Sequence, residues 1–113
     1  MFKGFSPGCR IRTHAEYQRV FAKRQRLYSC FFLLYYCASI QNRPRLGIVV
    51  SKRNARLAVA RNRIKRKARE AFRERQNRLP PIDIVIIAKR GAGEASKEEL
   101  QSCLEQLFNR LMI

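Results

Sequence analysis

RLGIVVSKRNARLAVARNRIKRKAREAFRERQNRLPPIDIVIIA, residues 45–88, sets two apolar runs of strand length on either side of a long basic stretch. Arg45–Ser51 reads as a strand. Ile82–Ala88 is an almost continuous apolar run, as a central strand would be. Between them Ala60, Ile64, Ala68, Ala71 and Phe72 recur at helical spacing and form one apolar stripe, which predicts a helix from about Ala55 to Arg78. Asn62, Lys65, Arg66, Arg69 and Arg73 fall on the opposite face, and Pro80-Pro81 ends the helix.

Upstream, Leu27–Ile40 (LYSCFFLLYYCASI) is rich in aromatic and β-favouring residues and reads as one strand. In an extended chain Phe31, Leu33, Tyr35 and Cys37 point one way, and Phe32, Leu34 and Tyr36 the other. Both faces are apolar, so one packs on a core and the other is covered by a helix or offered to a ligand. Gln41–Pro44 is a turn, which predicts a hairpin between this strand and Arg45–Ser51. Thr13 and Glu16 form a capping box opening a helix from about His14 to Ala22, with Tyr17, Val20 and Phe21 on one face. Residues 1–12 read as an irregular basic arm. Downstream, Lys89–Gly93 is a flexible basic loop, Ser96 and Glu99 make a second capping box, and Leu100, Cys103, Leu104, Leu107, Phe108 and Leu111 stripe a final helix. The order is α-β-β-α-β-α. It predicts a single α+β domain over residues 1–113, a sandwich with one mixed central sheet and helices packed on it.

The charge is concentrated. Of the 113 residues 25 are Lys or Arg and 8 are acidic, a net charge of +17; twelve of the basic residues lie within 51–78, beside only two acids. A solvated helix face mixes signs with Glu–Lys pairs, and this face does not. Such density calls for a polyanion, and for a folded domain of this size that means nucleic acid before an anionic membrane. The apolar face of the basic helix is narrow and Ala-rich, without the large anchors of a membrane-surface helix. The run 27–40 is too short to span a bilayer, and no signal peptide opens the chain, so a cytoplasmic protein is expected. Cys9, Cys30, Cys37 and Cys103 lack metal-ligand spacing and read as buried or partly buried free thiols.

A protein-borne active site finds no support. His14 is the single histidine and reads as a surface or capping group. Glu70 and Glu74 sit one turn apart among arginines as ion-pair partners, and Asp83 alternates with isoleucines. No nucleophile, base or metal set emerges. RNA binding needs cations for phosphates and planar rings for unpaired bases, and both are present. Tyr17 and Phe21 share a helix face, and Phe31 and Tyr35 a strand face. If the faces meet they line a groove fringed by Lys23, Arg24, Lys52 and Arg53; the alternative is that all four rings are core. A ribosomal-type RNA module, a stand-alone nuclease and a DNA-binding protein remain competing classes, although no DNA-binding motif is seen.

Arg45-Leu46-Gly47-Ile48-Val49-Val50-Ser51-Lys52-Arg53, followed by Ala60-Arg61-Asn62-Arg63-Ile64-Lys65-Arg66, resembles the protein subunit of bacterial ribonuclease P, and the similarity runs over about residues 10–110. The resemblance implies an RNA-binding, non-catalytic subunit of a ribonucleoprotein endonuclease. The RNA partner would carry the active site and its magnesium ions, with no cofactor held tightly by the protein. The holoenzyme would remove the 5′ leader of precursor tRNA. By the same resemblance Arg61, Asn62, Arg63, Lys65, Arg66 and Arg69 bind the catalytic RNA, while Tyr17, Phe21, Tyr35, Ser51 and Lys52 line a cleft for the single-stranded leader. It also implies a left-handed crossover around the basic helix, against the usual hand. The chain departs from the family pattern at Asn54–Val59, where Arg56-Leu57 and one extra residue replace a Gly-Asn, and at Tyr17, where Phe is common.

Overall fold

The computed structural model describes residues 10–112. Its elements are α1 (His14–Ala22), β1 (Arg26–Tyr28), β2 (Phe32–Ala38), β3 (Arg45–Val49), α2 (Ala58–Arg75), β4 (Ile82–Ala88) and α3 (Lys97–Leu111). The four strands make one mixed sheet in the order β1-β2-β4-β3, with β4 antiparallel to β2 and parallel to β3. The α+β architecture follows the sequence reading, with β4 in the interior of the sheet.

Two strand expectations give way. The run 27–40 is two strands, because Ser29 turns the chain: its amide and hydroxyl reach the Phe32 carbonyl, and the Phe32 amide returns to the Ser29 hydroxyl. A continuous apolar pattern conceals such a turn, since a lone serine supplies it. The true hairpin is β1–β2. The expected pairing of β2 with β3 does not form, because β4 lies between them. A strand apolar on both faces is best satisfied with a neighbour on each edge, and α2 supplies the long crossover that a parallel neighbour requires.

The helices lie close to expectation. α1 begins at the Thr13–Glu16 capping box and α3 at the Ser96–Glu99 box. α2 is shorter than predicted at both ends. Residues 51–57 form a folded loop instead, in which Ser51 accepts the amides of Asn54 and Ala55, and the Asn54 side chain donates to the Ala88 carbonyl. The basic loop after β4 is likewise tightly built. Gly91 takes φ 95°, a left-handed value suited to glycine, and a Cβ on Gly93 would stand 3.0 Å from Ala55 Cα. Of the predicted basic arm, residues 1–9 and Cys9 lie outside the described residues. Arg10 bridges to Leu46, and Ile11 is buried with its amide on the Leu46 carbonyl.

The main core lies on one face of the sheet. Phe32, Leu34, Ile84 and Ile86 meet Ile64, Ala68 and Phe72 of α2 and Leu100, Leu104 and Phe108 of α3, all fully buried. Burying each large side chain contributes about 1.5–3 kcal/mol. Every residue of the predicted α2 stripe is in this core. On the other face, among the described residues, the nine-residue α1 and the buried Ile11 before it make the cover. Cys37 and Cys103 are buried free thiols, whereas Cys30 is exposed in the β1–β2 turn, contrary to expectation.

Candidate RNA interface

The strand register arranges the α1 side of the sheet in three rows. Cys37, Asp83 and Arg45 form the first, Arg26, Tyr35, Val85 and Gly47 the second, and Tyr28, Leu33, Ile87 and Val49 the third. α1 covers the first row with charged contacts and the second with aromatic ones. The third is left open: Tyr28 is 53% and Val49 38% exposed, and Leu33 and Ile87 are half-buried.

The first row is held by ion pairs. Asp83 is fully buried, and Arg45 on the adjacent strand forks onto it, Nε to Oδ1 and Nη2 to Oδ2, both at 2.9 Å. Arg19 of α1 donates to the same Oδ2 at 2.7 Å and to the Ala38 carbonyl at 3.0 Å. The remaining Arg45 nitrogen donates to Glu16 Oε2 at 2.9 Å. Glu16 Oε1 meanwhile accepts the amides of Arg12 and Thr13 at the start of the helix. The Thr13 amide, then the Arg45 guanidinium, hold the Glu16 carboxyl down at about 2. The buried Asp83 and the partly exposed Glu16 thus face two guanidiniums, and no charge is stranded.

In the second row Gly47 is required by close approach, because a Cβ there would lie 2.8 Å from the Tyr17 ring. Burial raises the Tyr17 phenol, whose oxygen meets the Ile48 backbone. Tyr17 and Phe21 lie 6.5 Å apart, and Phe21 meets Tyr35 edge-on at 5.1 Å. Tyr17, Phe21 and Tyr35 therefore come together as a partly exposed ladder leading to the open row. Ser51 and Lys52, both exposed, follow β3 just past Val49, at the open end. Arg26 stands at the opposite edge, its guanidinium 5.5 Å above the Tyr28 ring and 3.4 Å from the Tyr35 hydroxyl. Phe31 is not part of the ladder. It precedes β2 and packs on the main core beside Gly91.

The cations of α2 divide by contact. Asn62, Arg66, Arg69 and Arg73 line one shallow groove, and Arg63, Lys67 and Lys97 extend it on one side. Lys65 and Arg69 border a notch with Tyr17 and Ile48, which carries positive charge round to the aromatic ladder. Arg61, expected among the residues that bind the catalytic RNA, also makes contacts within the protein. Its Nη1 donates to the carbonyls of Ala55 and Arg56, both at 2.9 Å, and closes the loop that enters the helix. Among the described residues no group of three or more His, Cys, Asp or Glu could hold a metal ion.

Both the sequence and the fold have counterparts among known proteins. A family model described as Ribonuclease P matches residues 5–112. The chain belongs to the ribonuclease P protein family. The ribonuclease P protein component of Coxiella burnetii is 50% identical over 111 residues, covering 98% of this chain and 92% of the relative. That of Vibrio campbellii is 41% identical over 107 residues, covering 95% and 91%. Among solved structures, the RNase P protein of Staphylococcus aureus superposes with a TM-score of 0.84 at 31% identity, covering 93% of this chain and 98% of that one. The RNase P protein of Thermotoga maritima gives 0.77 at 27%, covering 92% and 98%. As a member of this family, the chain is the RNA-binding subunit of a holoenzyme that matures tRNA 5′ ends, and its partner is the ribonuclease P RNA.

Several residues here were not singled out as site residues from sequence: Arg26, Tyr28, Leu33, Val49 and Ile87 in and beside the open row, and, away from it between α1 and the sheet, Glu16, Arg19, Arg45 and Asp83. One signal was available. A lone acid inside an apolar central strand must meet a cation, and a buried guanidinium on a neighbouring strand is the natural partner.

Proposed function

We propose that the two surfaces have separate RNA ligands. The aromatic ladder and the open row take the single-stranded 5′ leader of precursor tRNA, with unpaired bases against Tyr17, Phe21 and Tyr35 and phosphates near Ser51 and Lys52. The polar face of α2, with Asn62, Arg63, Lys65, Arg66 and Arg69, binds the catalytic RNA; Arg61 contributes mainly by ordering the loop beneath it. The observation carrying this reading is the uncovered row of Tyr28, Leu33, Ile87 and Val49 at the end of the ladder, flat apolar surface with cations at its edges. Among the described residues no group of three or more His, Cys, Asp or Glu could hold a metal ion, and the chemistry is assigned to the RNA and the magnesium it uses. The protein holds no cofactor tightly and needs no obligate protein partner. Among the described residues no helix is long and apolar enough to cross a membrane, and an RNA partner supports a cytoplasmic setting for the work.

The test is cleavage of labelled precursor tRNA at low magnesium by the catalytic RNA, with and without this protein. Restored cleavage at the mature 5′ end, with none from protein alone, is expected. Tight RNA binding without any effect on cleavage would contradict the proposal.

A further inference from the structure

Glu16, Arg19, Arg45 and Asp83 stop short of the uncovered row, yet they bond the sheet to the helix that carries Tyr17 and Phe21. A buried ion pair is a poor source of net stability, because apolar residues of like size often do as well. Its distinctive property is geometry. A guanidinium forked across a carboxylate fixes direction as well as distance, whereas an apolar contact lets a helix roll or slide.

The pins sit at two points on α1. Glu16 ties it to Arg45 of β3, and Arg19, three residues on, ties it to Asp83 of β4 and to the end of β2 through the Ala38 carbonyl. Tyr17 lies between these pins, and Phe21 half a turn beyond the second. Arg45 joins the two pins by also forking onto Asp83. β3 adds the seat: Leu46 takes the Ile11 amide and Gly47 admits the Tyr17 ring. Two attachments a turn apart fix both the rotation of α1 and its place along the strands.

Resting on the leader-binding reading above, we infer that Glu16, Arg19, Arg45 and Asp83 are a positioning set for the substrate cleft, acting through Tyr17 and Phe21. Preference for precursor over mature tRNA then depends on residues that need not contact the leader.

The decisive comparison uses the reconstituted complex with the catalytic RNA. Dissociation constants for precursor and mature tRNA are measured for Arg19→Met, Arg19→Lys, Asp83→Asn and Tyr35→Ala, and folding is checked by circular dichroism. Arg19→Met should lower the preference for precursor by about fivefold, leaving the cleavage rate of bound precursor unchanged, and Arg19→Lys, which can keep one contact, should recover part of it. Asp83→Asn should lose more. If Asp83→Asn does not fold, Arg19→Met decides, because the Arg19 side chain is 29% exposed and its removal leaves the core filled. A folded Arg19→Met that keeps full preference while Tyr35→Ala loses it would overturn the positioning role and leave the cleft standing. Equal weakening of precursor and mature tRNA would make Arg19 a plain phosphate contact and overturn it too. Unchanged preference in Tyr35→Ala would remove the cleft reading itself.

Discussion

On one face of the sheet Phe32, Leu34, Ile84 and Ile86 vanish beneath two long helices; on the other, Leu33, Ile87 and Val49 stay partly open past the end of a nine-residue helix. The closed face has an apolar core in which its helices meet ring to ring, Phe72 against Phe108 at 6.4 Å, with Arg75 reaching Glu105 and Asn109 at the rim. The open face is fastened by guanidiniums and carboxylates. A helix as short as α1 does not hold itself together in water, so its position depends on tertiary contacts. Stability thus resides mainly on the closed face, and the open face is free to bind.

The largest effect that could break this comparison is in the closed core. Phe72→Ala should lower unfolding stability by about 3–5 kcal/mol in a urea titration. A loss close to that of Tyr35→Ala would mean that the two faces share the load. Next is Gly47→Ala, whose methyl would enter the Tyr17 ring. Overpacking of this kind costs about 1–3 kcal/mol, and hydrogen exchange should show α1 loosening before the rest of the fold. An unchanged exchange pattern would place Tyr17 elsewhere.

Arg66→Ala and Arg61→Ala sharpen the division within α2. Arg66→Ala should reduce the salt slope of catalytic-RNA binding by about one and leave the fold intact. Arg61→Ala should in addition raise amide exchange in residues 54–57, because it removes the donor to the Ala55 and Arg56 carbonyls. The smallest effect is expected in acid. Glu16 has a folded value near 2 against an ordinary 4.5. Its contribution is therefore complete above about 4.5 and is lost as pH falls through about 2. Thermal melts of the protein against Glu16→Gln should converge over that window. Curves that stay parallel would mean that the Arg45 contact contributes little.

The sequence made the helical framework legible because its signals are local. Capping boxes mark where α1 and α3 begin, and the Ala60, Ile64, Ala68, Ala71 and Phe72 stripe marks the buried side of α2. Strand pairing was not legible, because it depends on partners far apart in the chain. The Ser29 turn was hidden in an apolar run, and the β2–β3 hairpin was the nearest pairing rather than the one that satisfies both edges of β4. At the site, the shared helix face of Tyr17 and Phe21 could be read from spacing, whereas the grouping of both with Tyr35 came from the family resemblance. The Arg45–Asp83 fork and the uncovered row could not, since both arise from register between strands. Phe31 was misplaced for the same reason: the face it occupies changes once the strand begins at Phe32.

The most direct measurement is the affinity of the reconstituted complex for precursor and mature tRNA with Tyr35→Ala. Stacking of one base contributes about 1–3 kcal/mol, so precursor binding should weaken by about tenfold while mature tRNA binding barely changes. Equal losses for the two substrates, or no loss for either, would contradict the assignment of the open face to the leader.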